Sequence, residues 1–283
     1  MESMKMAKGK SKEGLLAFVH IPKTAGTTLK MVLQNSFCVR LCNLMPLVEP
    51  VAVEADLAYA KRVYRLGLRC ILGHSLINTS DHFESRLLRF TFVRDPAKRC
   101  LSHFLHKKRA AKRAGKSLSF YEFLEDKAMW NAQTKMIAGS DDLERAKNEL
   151  EDYLFVGLTE RFEESLAVLD ELSPYSLRLE CRRLHVASNP GDRHEVLDDP
   201  DACRLLVEAN EIDQQLYDHV SETVYPRFLA AAGLDESSSS RRIIDLKRRP
   251  MRYWLCRWFQ NGVYRQLVYR RRARKSQAAR VAD

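Results

Sequence analysis

Nowhere do the 283 residues contain an uninterrupted apolar run approaching the roughly 20 residues that span a bilayer. The charged opening, MESMKMAKGKSKEG, is followed by no signal-peptide core, so the expected location is cytoplasmic. The glycine-rich pattern G-x-x-x-x-G-K-[ST] of nucleotide phosphate loops is also missing, and with it any assignable Mg²⁺ ligand. Seven cysteines (38, 42, 70, 100, 181, 203 and 256) are odd in number and scattered, which fits reduced, buried thiols rather than a disulfide framework. The Cys38–Cys42 spacing has no second pair or neighbouring histidine to make a zinc site. There are no internal repeats.

Net charge is scarce until the end of the chain. The formal net charge is +10, yet residues 241–283 hold 14 Lys/Arg against 2 Asp/Glu, a net of +12, and the rest carries −2. The basicity belongs to a tail and says little about the ligand of the main body. Hydrophobic content of 45% and charged content of 30% describe a globular protein of one α/β domain with appendages. The expected division is a disordered 1–13, a folded domain over 14–235, and a linker with a basic aromatic tail over 236–283.

Four apolar runs read as buried strands: Leu15–Ile21, Leu68–Gly73, Leu87–Val93 and Tyr153–Leu158. Helical patterns fall at Glu54–Leu66, Ala97–Arg113, Phe120–Asp126, Ala132–Ala138, Asp142–Leu150 and Glu160–Leu172. Asp201–Ala232 reads as one or two helices interrupted near Pro226. Cys38–Val53, broken by Pro46 and Pro50, is ambiguous. Asp95 is an expected N-cap, with Pro96 as first helical residue. Continuously apolar strands alternating with helices indicate an α/β fold, a central parallel sheet flanked by helices on both faces.

In such sheets ligands bind beyond the carboxyl ends of the strands, and three polar sites fall there. The first strand stops at Pro22 and leads through Lys23-Thr24-Ala25-Gly26-Thr27-Thr28 into a helix start. Unpartnered N–H groups and the positive end of the helix dipole make that turn an anion site, with Lys23 adding a full charge and the threonines hydroxyls. The bland alternative is an N-cap beside a surface lysine. Second, Arg94 stands at a strand end and Ser102 two turns into the next helix, where a guanidinium fork and a hydroxyl could clamp a second phosphate. The alternative is an arginine paired with Asp95 or a helix end. Arg99, Lys107, Lys108, Arg109, Lys112 and Arg113 make that helix basic, part of it solvated surface. Third, His74 follows Gly73 at a strand end, placed to take a proton from a hydroxyl if it is not merely structural. His20 reads as buried rather than reactive; His103 and His106 have no assignable role.

HIPKTAGTT (20–28), GHS (73–75) and FVRDPAKRCLSHFLH (92–106) together resemble the membrane-anchored carbohydrate sulfotransferases and their bacterial relatives. The resemblance is to sulfotransferase family 2, the group that includes heparan and dermatan sulfate 2-O-sulfotransferases. The N-x-x-T-K-x-x-x-G stretch 131–139 and FVGLTERFEESL (155–166) resemble the same family, and the similarity covers roughly residues 14–230. It implies a P-loop-like three-layer fold and 3′-phosphoadenosine 5′-phosphosulfate (PAPS) as sulfonate donor, with 3′,5′-bisphosphoadenosine as product and no metal required. Pro22 and the Lys23–Thr28 loop would hold the 5′-phosphosulfate, Arg94 and Ser102 the 3′-phosphate, and His74 would be the general base. The 184–191 loop falls where relatives close over the adenine. The implied partner is a hydroxyl-bearing acceptor, a saccharide or glycolipid, with nucleic acid disfavoured. The chain departs from animal relatives in lacking a signal anchor and a disulfide-friendly cysteine pattern, so a cytosolic bacterial enzyme is expected.

Two other classes stay open: a nucleotide-dependent kinase built on the Lys23 loop, and a noncatalytic anion or nucleic-acid binding module built on the tail. In 241–283, Trp254 and Trp258 share a helical face, as do Leu255 and Phe259, and Gly262 interrupts the pattern. Such a segment could lie peripherally on the inner face of an anionic membrane, hold a polyanionic acceptor or bind nucleic acid. Alternatively its aromatics dock on the domain and leave the arginines solvated.

Overall fold

The computed structural model describes residues 14–48, 50–181, 196–234, 244–245 and 250–282. The N-terminal 1–13, the 184–191 loop and the Ser237–Ser240 linker lie outside the described residues.

Five parallel strands form the central sheet, in the order β2-β3-β1-β4-β5: β1 Leu15–Val19, β2 Leu41–Asn43, β3 Cys70–Gly73, β4 Leu87–Val93 and β5 Phe155–Leu158. They are apolar along their length because helices cover both faces. Leu16–Val19 and Cys70–Gly73 are wholly buried. Register aligns the carboxyl ends. Val19 lies opposite Gly73 on one side and Thr91 on the other, and Val93 opposite Leu158. The Thr91 hydroxyl donates to the Val19 carbonyl at 2.8 Å and fastens this edge. β2 is the strand that the ambiguous Cys38–Val53 stretch concealed; three residues are too few to display a period.

The helices around the sheet are α1 Gly26–Phe37, α2 Glu54–Val63, the one-turn α3 Thr79–His82, α4 Pro96–Arg113, α5 Phe120–Glu125, α6 Ala132–Ala138, α7 Leu143–Glu151 and α8 Phe162–Leu172. Asp95 caps α4, accepting from the Lys98 N–H at 2.8 Å. One apolar side of α4 (Leu101, Phe104, Leu105) packs with Phe120, Phe123, Leu124 and Leu206 in a second, smaller core. After a two-residue pairing of Glu180–Cys181 with Ile244–Asp245 come α9 Pro200–Glu208, α10 Glu211–His219 and α11 Tyr225–Ala232.

The break expected near Pro226 is instead at Ala209–Asn210. There the Asn131 carboxamide oxygen accepts the N–H groups of Ile212 and Asp213 and starts a new helix. The chain then runs helically through Pro226, because a wide π-turn at Val220–Val224 absorbs the missing donor.

The C-terminal segment forms α12 Met251–Trp258, a π-turn Phe259–Tyr264, and α13 Arg265–Ala282. Gly262 lies inside the wide turn, and the helix continues past it. Tyr253, Cys256, Gln260, Tyr264 and Val268 are buried against the body. A repeat of four residues drifts about 40° per step on a 3.6-residue helix, and the wide turn brings the stripe back into line. Gln260 donates to the Asn43 carbonyl at 2.9 Å and accepts the Asn43 N–H at 3.0 Å, so a side chain takes the place of a neighbouring strand on the free edge of β2. The Tyr64 hydroxyl donates to the same carboxamide oxygen at 2.6 Å. Arg252 caps α1 by donating to the Asn35 and Ser36 carbonyls, and Arg272 donates to that of Pro46.

Candidate active site

The loop after β1 has an uncommon backbone. Lys23 (φ 74°) and Ala25 (φ 59°) are both left-handed, a conformation non-glycine residues adopt at a cost of order 1–3 kcal/mol each and keep mainly at functional sites. Ala25 is the N-cap of α1, and no side chain caps that helix. The Thr28 and Leu29 N–H groups donate to the Ala25 carbonyl, while the first turn opens toward the loop. Thr24 is fully buried and its hydroxyl donates to the Ile21 carbonyl at 3.0 Å, so it shapes the loop. Thr27 is exposed and Thr28 half-buried.

Behind the loop runs a column of rings. Phe90 stacks on Phe18 (centroids 5.2 Å apart), Phe18 on His20 (5.1 Å), and His20 on His74 (4.0 Å). Gly26 admits this column, because a Cβ there would fall 1.8 Å from Nε2 of His20. Burial, then repulsion from His74 and Lys30, holds the His20 pKa down to about 2, so His20 is neutral at every physiological pH.

His74 Nδ1 lies 2.7 Å from the His20 carbonyl oxygen. A carbonyl can only accept, so Nδ1 carries a proton, and in the neutral ring Nε2 keeps its lone pair. Although the residue is exposed by area, packing of its ring lowers the pKa below the ordinary value, outweighing the bond to His20, which raises it.

Arg94 closes the third side. Its Nη1 donates to the Lys23 carbonyl at 3.1 Å. Its own backbone is held by Gln133, which accepts the Arg94 N–H and donates to the Arg94 carbonyl, both at 2.9 Å. Asp213 fixes Gln133 and Thr134 by accepting both of their N–H groups. Arg99 is buried 3.8 Å from Asp213 and belongs to this scaffold rather than to the solvated face of α4. Ser102, His106 and Arg109 follow at helical spacing on one side of α4, Ser102 half-buried.

Lys23 has its pKa lowered by burial first, then by Arg109 and Arg94. His103 is pushed down to about 4 by burial and by Arg99, Lys107 and Lys23. Depressed pKa values on several cations facing one loop are what a site for a multiply charged anion looks like before the anion arrives. The structure thus gathers Lys23, the turn to Thr28, His74 and Arg94, with Ser102 on the adjoining helix.

Sequence reasoning gave no role to His20, Gln133, Arg109 or His103. The 131–139 stretch was the available signal for Gln133, since its asparagine, glutamine and threonine all serve to hold Arg94 and Asp213. A model of the sulfotransferase family matches residues 11–220. No curated protein matches the chain.

Proposed function

The chain belongs to the sulfotransferase family, and on that premise we propose that it moves a sulfonate group from PAPS to the hydroxyl of a carbohydrate acceptor by in-line displacement. The observation that carries this reading is the 2.7 Å contact from His74 Nδ1 to the His20 carbonyl. In the neutral ring, which burial favours, it leaves Nε2 free, as a general base near pH 7 requires.

The donor brings the sulfonate and a bisphosphate leaving group; the rest is the work of this chain's residues. His74 takes the acceptor's hydroxyl proton onto Nε2 as its oxygen attacks. Lys23 and the N–H groups at the start of α1 meet the negative charge that builds on the departing phosphate, with Thr27 and Thr28 adding hydroxyl donors. Pro22, Thr24 and Ala25 hold the turn in shape. Arg94 and Ser102 take the 3′-phosphate, and the Gln133 clamp keeps Arg94 aimed. The surrounding cations fit a donor carrying several negative charges and make an added metal unnecessary. The carbohydrate preference is supported by the likeness of segments 20–28, 73–75 and 92–106 to carbohydrate sulfotransferases.

Calorimetric titration of 3′,5′-bisphosphoadenosine against ADP, with chelator present, tests the donor. The bisphosphate should bind at least about tenfold more tightly, and Arg94→Ala should abolish that preference. Equal affinities, or a preference indifferent to Arg94, would refute PAPS as donor.

A further inference from the structure

The C-terminal helix has two apolar faces, and among the described residues only one is covered. Tyr253, Cys256, Gln260, Tyr264 and Val268 fill the face against the body. On the opposite side of α12, Met251 is 75% exposed, Trp254 54%, Leu255 45% and Trp258 67%. These four follow i, i+3, i+4, i+7 spacing and make one continuous stripe. Docking on the body therefore does not account for the tail's aromatics. It leaves two tryptophans, a methionine and a leucine facing solvent in one patch, where single scattered apolar residues would be the norm.

Charge identifies what covers the patch. Residues 250–282 contain nine Lys/Arg and no Asp or Glu. Beyond the apolar stripe, the exposed side of α13 continues through Gln266, Arg270, Ala273 and Arg274. An acid-free helix with tryptophan and leucine on one exposed strip and arginines beside and beyond it matches a negatively charged lipid surface. Indole and leucine side chains sit at the headgroup level, and arginines pair with lipid phosphates. A soluble polyanion would use the arginines and leave the Met251–Trp258 stripe wet. A second copy of this chain would bring nine like charges against nine.

We propose that α12–α13 is an interfacial helix: its inner face is clamped to the β2 edge, and its outer face binds the enzyme peripherally to an anionic phospholipid surface. The inference does not depend on the donor or acceptor. Arg252, at the Asn35 and Ser36 carbonyls, ties the start of the helix to the far end of α1, and Arg272, at Pro46, ties its later part near the carboxyl edge of the sheet. The bound helix would therefore hold the whole body at a fixed orientation to the bilayer.

Sedimentation of the full chain with phosphatidylcholine vesicles, with and without 30% phosphatidylglycerol, provides the test. Binding should require the anionic lipid and weaken with salt. Trp254→Ser/Trp258→Ser should lower the partition coefficient by roughly tenfold or more, and Arg270→Gln/Arg274→Gln by about fivefold per arginine removed. Neither double variant touches the docked face, so an unchanged melting temperature confirms that loss of binding is not loss of fold. Trp254 and Trp258 fluorescence should shift to the blue on vesicle addition. Failure of the intact protein to bind anionic vesicles, or tryptophan variants that bind undiminished, would overturn the proposal. Vesicle binding that persists in the tryptophan variants and is displaced by soluble polyphosphate would reassign the surface to a polyanion. A concentration-dependent dimer that the tryptophan changes dissolve, without vesicle binding, would reassign it to self-association.

Discussion

As the proposed base, His74 depends on what stands behind it. Its Nδ1 is spent on the His20 carbonyl and its ring rests on the His20 ring, so His20 fixes the tautomer and the aim of the proposed base. His74→Ala should cost about 10²–10⁴-fold in kcat while 3′,5′-bisphosphoadenosine still binds. A parallel loss of affinity would take the base role away from it. Because the neutral form is the active one in the proposed mechanism and burial lowers the pKa, the acid limb of the pH–rate profile should lie below pH 6.5. A limb displaced above that value contradicts the assignment. Gly26 tests the column itself: a methyl group there collides with the His20 ring and must push it onto His74. Gly26→Ala should therefore lower kcat by at least about tenfold and shift the acid limb. Altered donor affinity with an unmoved pH profile would confine Gly26 to loop geometry.

At the scale of elements, the sequence gives away what is periodic and hides what is short or distant. The Lys23 loop, the Asp95 cap and four of the central strands follow from apolar runs ending at recognisable stop signals. β2 does not, because three residues joined to the sheet by partners far along the chain carry no local pattern. The helical run from α10 through the π-turn into α11, past Pro226, was equally illegible: proline is read as a breaker unless a wide turn relieves it. Nor could any spacing rule pair Gln260 with Asn43. Gln260→Leu would strip the Asn43 N–H and carbonyl and the Tyr64 hydroxyl of their partner at a buried position. It should cost about 2–4 kcal/mol in urea unfolding; a loss under about 0.5 kcal/mol would mean that water replaces these bonds freely. In the candidate site, residue types at strand ends were legible, but the support beneath them was not. Gln133 acts on the backbone of Arg94 and His20 through its own carbonyl and ring, neither of which a side-chain pattern reports.

The whole molecule inherits a pH dependence from its cation-rich edge. His20 is held to about 2 and His103 to about 4, while His74 and His106 are also lowered. The unfolded chain takes up protons on these rings near the ordinary histidine value of about 6.5, whereas the folded chain refuses them until lower pH. Their contribution to stability is therefore complete above pH 6.5 and declines as the pH falls toward 4. The urea midpoint should drop between pH 7.5 and pH 5, and His103→Phe should flatten the decline; a midpoint that rises on acidification would contradict the neutral-histidine arrangement. The pairing of Gln260 with Asn43 has a further bearing, on how the protein is made. The two residues are separated by 217 positions, so a ribosome adding about 5–20 residues per second delivers the partner of β2 roughly 10–40 s after β2 itself. Through that interval the nascent chain presents an open strand edge of the kind that recruits other strands. A growing chain of this protein thus keeps the β2 edge open until residue 260 is made, and one ended before Gln260 would keep it open for good.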